Sequence, residues 1–355
     1  MLTFQFKALF LSLLITLPIG LLSIAFCKKI RLLDIPGSAF HKIHTVPVPL
    51  AGGITLVIAS VVLFIIFNQT ITNSFLSILC PAVIIFLFGL MDDLMGLSAP
   101  IKLLGQFLAA LLLMFMGVSV HIIEHLSFAA TGGSWMAIAK FLDGFLTVFW
   151  VIGIVNAFNL VDSMDGLVSG ISAWAFGFFV IAGIDSQQIS LSLFASIFLG
   201  INLILSFFNA SPAKLFLGDS GAQTVGFILA AMSILYTPIY LEQASSWFVP
   251  ILIFAVPIFD TCLVFFSRLR RHIPFYKGNL DHTYHRLVNI GVDSHRAVFT
   301  MHLAALLFAC LAMIAVSMAP LYANLLFALS LILGVFAYLV LEQSKFLPQN
   351  FPSSI

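Results

Sequence analysis

The sequence predicts an all-α, polytopic membrane bundle of about eleven helices in one domain, and three observations predict it. Of 355 residues, 61% are apolar and only 8% are charged, far too little charge to cover a water-exposed surface. The apolar residues fall in runs long enough to cross about 30 Å of hydrocarbon, which takes roughly 20 helical residues. Lys and Arg gather on alternate connections between those runs. The near balance of 15 Lys+Arg against 14 Asp+Glu gives no reason to expect nucleic acid as a partner.

The runs lie at about 4–26, 50–67, 74–91, 101–123, 141–161, 166–184, 189–208, 221–241, 247–267, 297–317 and 321–341. Asn156, Asn159, Asp162 and Asp165 crowd the junction near 161–166, which makes ten the alternative count. The first run is long enough to span and lacks a small-residue cleavage site, so it reads as a retained helix. Cys27, Cys80, Cys262 and Cys310 are scattered and make neither a metal pattern nor a disulfide framework.

Orientation follows the positive residues, which are retained on the cytoplasmic side. The odd connections hold Lys28, Lys29, Arg31, Lys42, Lys102, Lys214, Arg268, Arg270, Arg271, Lys277, Arg286 and Arg296, against Lys140 alone on the even ones. That asymmetry places the amino terminus outside and the carboxyl terminus in the cytoplasm.

Every unusual polar cluster lies in or beside an odd connection, so four loops meet one aqueous face. Asp92 and Asp93 end the third run, and adjacent carboxylates at a membrane boundary need a cation, a shared proton or open water. Lys102 follows on the same face. Asp219 stands in Gly218-Asp219-Ser220-Gly221, an open turn of the kind that holds Mg²⁺ through one carboxylate and substrate phosphates. Asn156, Asn159, Asp162 and Asp165 recur at steps of three, which on a helix makes a polar stripe able to bind a ring, ribose or base. For Asn156 a contact between helices inside the bundle is the competing reading.

Lys42 and His44 sit in a Pro/Gly-framed basic loop suited to phosphate. Lys28, Lys29 and Arg31 read as topology signals alone. In Asp281-His282-Thr283-Tyr284-His285-Arg286, two imidazoles and a guanidinium again suit phosphate better than a transition metal. Asp260, inside a span, reads as a partner for a neighbouring loop. His121, Glu124, His125 and Asp143 fall on the outer face and read as solvated.

Taken in order from about 34 to 296, these pieces resemble the polyprenyl-phosphate N-acetylhexosamine-1-phosphate transferases. The matching pieces are Lys42-Ile43-His44 through Gly52-Gly53, Asp92-Asp93 with Gly96-Leu97-Ser98 and Lys102, Asn156 through Leu167, Gly218 through Gly221, and the histidine loop. The resemblance implies a helical membrane enzyme of the bacterial inner membrane that starts lipid-linked envelope glycans, with its active site at the cytoplasmic face. It implies Mg²⁺, or Mn²⁺ in its place, and transfer from a UDP-N-acetylhexosamine to polyprenyl phosphate with release of UMP. UDP-N-acetylglucosamine is the expected donor, with other UDP-N-acetylhexosamines or UDP-N-acetylmuramoyl-pentapeptide as alternatives, and a homodimer stays open.

By the same resemblance Asp92 and Asp93 form the catalytic acidic pair and Asp219 is the metal ligand. Asn156, Asn159, Asp162 and Asp165 are donor contacts, and Lys42, His44, Lys102, His282, His285 and Arg286 handle phosphate. His41 stands where the family usually has Arg, and Tyr284 where it usually has His, one cation fewer at each place. The rival class is a secondary transporter, which wants ionisable groups near the bilayer midplane. Only Asp260 lies there.

Overall fold

The computed structural model describes residues 2–36, 46–67, 73–126, 133–238, 247–272 and 281–343. Lys42 and His44 lie outside the described residues.

Helix α1 (Leu2–Ile30) leads into two short antiparallel strands, β1 (Leu33–Asp34) and β2 (Val48–Pro49), paired Leu33 to Pro49 and Asp34 to Val48. Then come α2 (Gly52–Phe67), α3 (Asn73–Met95), α4 (Ala99–Phe115), a single turn α5 (Ile122–Leu126) and α6 (Gly133–Val161). The chain continues through α7 (Leu167–Asp185), α8 (Ile189–Asn209) and α9 (Gly218–Leu235). It closes with α10 (Val249–Ile253), α11 (Ala255–Arg270), α12 (Thr283–Asn289), α13 (Ser294–Ser317) and α14 (Pro320–Leu341).

Seven of the described helices are long and apolar enough to cross a membrane: α1, α3, α6, α7, α8, α13 and α14. Helices α2 and α4 are apolar but shorter. The protein is a multi-pass membrane protein, almost entirely helical. Over the described residues each apolar run read from the sequence falls on a helix, with three departures, the first being the run at 221–241, whose helix ends at Leu235. The run at 101–123 stops at Phe115, where Gly117 turns the chain with φ +89°. The run at 247–267 is split at Phe254, because Pro257 has no N–H to donate to Ile253 four residues back.

The organising element is α9. Every residue from Ser220 to Ser233 is buried, so this helix is wrapped on all sides by protein, chiefly α2, α3, α6 and α7. Helices α1, α13 and α14 instead turn Phe10, Leu22, Phe299, Leu321 and Phe336 outward, as a lipid solvent permits. Without a hydrophobic drive between helices in lipid, close packing needs small residues. A Cβ on Gly89 of α3 would lie 2.5 Å from the Ser220 Cα, and one on Gly53 of α2 would collide with the Ser220 hydroxyl. Two glycines on two helices thus seat the first turn of α9. Backbone bonds add to the clamp, from Phe216 N to Pro49 O (2.9 Å) and from Gly52 N to Phe216 O (3.0 Å).

Gly89→Ala is therefore expected to destabilise the protein by about 1–3 kcal/mol, the usual scale of overpacking. Thermal unfolding in detergent checks this against Gly177→Ala, where a Cβ meets no atom within 4 Å; equal melting temperatures for the two variants would remove the tight crossing.

Candidate active site

The site forms where the end of α3, the start of α4, the end of α6 and the start of α9 converge. Asp93 accepts hydrogen bonds from the backbone N–H of Asp219 (2.8 Å) and Ser220 (3.1 Å) and from the Ser220 hydroxyl (2.6 Å). It caps α9 from a neighbouring helix, satisfying free N–H groups and countering the positive end of the helix dipole. Gly218, at φ +68°, has to be glycine for a second reason: a Cβ there would lie 2.7 Å from the Asp93 carboxylate.

Asp92 points the other way. It accepts from Leu97 N (2.6 Å) and pairs with Lys102, whose Nζ also donates to Asp219 at 2.7 Å. One ammonium thus bridges two carboxylates. Asn159 donates from Nδ2 to the other Asp219 oxygen (3.0 Å). The Lys102 and Asp219 side chains are each 29% exposed, so the cluster is open at the surface of the protein.

One helical turn deeper lies a second polar layer. Gln106 of α4, Asn156 of α6 and Gln223 of α9 sit three or four residues from Lys102, Asn159 and Asp219. Asn156 Nδ2 donates to Gln106 Oε1 (2.7 Å), and Gln106 Nε2 donates to Gln223 Oε1 (3.0 Å) and Asn156 Oδ1 (3.3 Å). Asn156 thus makes the contact between helices that was its competing reading. Its amide is used by Gln106 and by the Ile152 carbonyl (2.8 Å).

The expected helical stripe also ends early. Helix α6 stops at Val161, and Gly166 at φ +76° opens α7, so Asp162 and Asp165 stand in a turn. That turn is held by Asn209, which accepts from Gly166 N (2.9 Å) and donates to Leu215 O (3.1 Å), and by His302 against the Gly166 carbonyl (3.2 Å). Asp165 accepts from Ala213 N at 3.3 Å. Burial, then the negative charges of Asp219, Asp93 and Asp165, push the Asp162 carboxyl up to about 8.

The histidine loop is a separate network among the described residues. His282 Nδ1 meets Asp260 (2.7 Å), whose second oxygen accepts from Thr283 N (2.6 Å), so Asp260 pairs with a loop as expected. Burial works against charge on His282, but Asp260 and then Asp281 outweigh it and hold the imidazole above its ordinary value. His285 is half-buried, its ring 5.8 Å from that of His282.

Arg286 corrects the phosphate reading. Its side chain has no exposed surface, and it donates to Glu342 (2.6 Å), Leu341 O (2.9 Å) and Asp281 O (2.9 Å). Arg268 grips Asp281 through two bonds of 3.0 and 2.8 Å, locking the loop to α11. On the far end of the bundle Asp143 is likewise not solvated: it is 2% exposed and accepts from Ile123 N (2.9 Å) and Glu124 N (3.0 Å). The ligand atoms of His121, Glu124 and Asp143 lie within 4.8 Å of one another, but Glu124 is already paired with His121 (2.6 Å).

Sequence reasoning missed Gln106, Gln223, Asn209, His302 and Glu342. For the two glutamines a signal existed, since each is a lone amide in an apolar run, four residues from a charged site residue.

The bundle thus gathers carboxylates, an amide and a lysine at the head of a largely buried helix, and comparison supplies the family. Residues 75–237 match glycosyl transferase family 4. The chain is 30% identical over 296 residues to an undecaprenyl-phosphate alpha-N-acetylglucosaminyl 1-phosphate transferase of Yersinia pestis, covering 81% of this chain and 77% of that one. It is 29% identical over 293 residues to a probable undecaprenyl-phosphate N-acetylglucosaminyl 1-phosphate transferase of Bacillus subtilis, covering 81% and 78%. The chain belongs to glycosyl transferase family 4 and is a phospho-sugar transferase.

Two outcomes test this geometry. Because the raised Asp162 carboxyl must keep its proton in the fold while the unfolded chain loses it near pH 4, its penalty grows as pH rises toward 8 and then levels. Asp162→Asn should accordingly gain melting temperature over wild type progressively between pH 5 and 8 in divalent-free buffer; a constant difference would contradict the shift. Glu342→Gln strands the buried Arg286 charge and should cost about 3–5 kcal/mol. Arg270→Gln removes a partner that is 58% exposed and should cost little; comparable losses in thermal unfolding would exclude a buried lock.

Proposed function

We propose that the protein transfers an N-acetylhexosamine-1-phosphate, GlcNAc-1-phosphate first among them, from a UDP-sugar to a polyprenyl phosphate and releases UMP. The names of the relatives support the acceptor and the sugar. On this reading the site faces the cytoplasm of a bacterial inner membrane, as the distribution of Lys and Arg suggests.

The observation that carries the reading is the Lys102 bridge between Asp92 and Asp219. Carboxylates that draw one cation between them at a solvent-open helix head suit a divalent ion, and the oxygen set of Asp92, Asp219 and Asn159 is the hard set Mg²⁺ or Mn²⁺ takes. Asp219 and Asp92 would hold the ion, which when bound neutralises charge on the diphosphate.

The chemistry joins two anions. A lipid phosphate oxygen attacks the sugar-side phosphorus, the bond to the nucleotide phosphate breaks, and UMP leaves with its electron pair. Two unit charges 4 Å apart repel by about 4 kcal/mol at an effective dielectric near 20, roughly a thousandfold in rate. Lys102 offsets part of that where the two phosphates meet. Asp92 orients the lipid phosphate for in-line attack. Asp93, engaged by three donors, positions Asp219 instead of moving a proton. Asn159 fixes the Asp219 rotamer, and the Asp162–Asp165 turn lies beside it to receive the donor.

Asp219→Asn removes formal charge at nearly constant shape and should lower UMP release by about 100-fold or more, the scale of losing one strong electrostatic contact. The assay is UMP release from a panel of UDP-sugars with polyprenyl phosphate and Mg²⁺, with melting temperature measured in parallel; near-normal turnover by a folded variant would take Asp219 out of the reaction.

A further inference from the structure

The turn that carries Asp162 and Asp165 lies between α6 and α7, and two further helices grip it. From α8, Asn209 accepts from Gly166 N (2.9 Å) and from the Ser169 hydroxyl (3.3 Å), and it donates to Leu215 O (3.1 Å). From α13, His302 Nε2 reaches the Gly166 carbonyl at 3.2 Å and the Leu167 carbonyl at 3.3 Å.

Both partners of that nitrogen are carbonyl oxygens, so Nε2 has to carry the proton and share it between two adjacent residues. The Gly166 carbonyl already accepts from Gly170 N (3.1 Å) within α7. The imidazole therefore rescues no orphan group; it adds a tie to the residue that follows Asp165. Space for the ring is built into α7. A Cβ on Gly170 would collide with the His302 imidazole. Glycine is less favourable than alanine inside a helix, and here it lets the ring lie against the α7 backbone.

The tied turn is coupled to the reacting cluster through the chain ahead of α9. Asp165 accepts from Ala213 N (3.3 Å) and Asn209 holds Leu215, and the next residues run into Gly218 and Asp219. His302 adds an anchor from a third helix. The Asp92 side of the cluster is held differently, by Leu97 N and Lys102 at the start of α4.

We infer that His302 is a positioning residue for the sugar-nucleotide donor, holding the Asp162–Asp165 turn in register with Asp219 while touching no substrate itself. The inference rests on the donor contacts proposed above and adds the residue that aligns them. It acts on the donor and not on the lipid acceptor, because its only route to the cluster is the turn.

Three substitutions separate this role from packing. The amide nitrogen of Gln stands as many bonds from Cβ as the Nε2 of His, that of Asn stands one bond short, and Met fills volume with no donor. With UMP release measured on the full-length protein in detergent, His302→Met and His302→Asn should raise KM for the UDP-sugar about fivefold, the scale of one neutral hydrogen bond. KM for polyprenyl phosphate should not move, and His302→Gln should keep both wild-type values. Hydrogen–deuterium exchange without substrates reads the turn itself: the Gly166 and Ala213 amides should exchange faster in the Met and Asn variants and at the wild-type rate in His302→Gln. An unchanged donor KM, a rise in both KM values together, or unchanged exchange at both amides overturns the inference. Loss of folded protein in the Met and Asn variants alike makes His302 a packing residue and overturns it too. Because exchange needs no turnover, absence of UMP release from wild type would fail the proposed reaction, while exchange still decides whether His302 holds the turn.

Discussion

The structure hangs on one carboxylate meeting one helix end. Asp93, at the end of α3, accepts two backbone N–H groups and a hydroxyl from the first turn of α9. Inside a membrane bundle an uncapped helix start would leave N–H groups without water to satisfy them, so a cap from a neighbouring helix serves stability first. The same contact decides where Asp219 stands. Its backbone is a donor to Asp93, so its side chain departs from a fixed point toward Lys102 and Asn159.

Below that head the three helices carrying Lys102, Asn159 and Asp219 are tied by Gln106, Asn156 and Gln223. Amide bonds in hydrocarbon have no competing water, and they are directional, unlike the Leu and Phe contacts around them. Rotating any one helix about its axis would break the amide set and move a site residue out of the cluster. Glycines do the complementary work, since Gly53 and Gly89 set how near α2 and α3 come to α9.

Much of the helical layout was legible because a lipid solvent imposes a simple rule on length and polarity. The acidic residues were legible for the converse reason: Asp92, Asp93 and Asp219 have no cheap place in such a chain, and the structure brings them together. What periodicity could not supply was where helices stop. The stripe from Asn156 to Asp165 keeps its spacing but loses its helix at Val161, so two of its members face neighbours no count of residues reveals. Arg286 shows a different blindness. A basic residue in a polar loop looks available for phosphate, and only the packing against Leu341 and Glu342, more than fifty residues on, shows that it is enclosed.

That distant partnership bears on how the chain matures. Glu342 follows α14, the last described helix, and it joins Arg286, Arg270 and Ser267 across the gap between α11 and α12. A polypeptide emerging into a membrane would hold its complete acidic cluster several helices before this clasp can close. The imidazole-bearing segment is thus tightened by a residue that follows α14, so a chain interrupted before α14 keeps the residues of the acidic cluster and lacks this fastening.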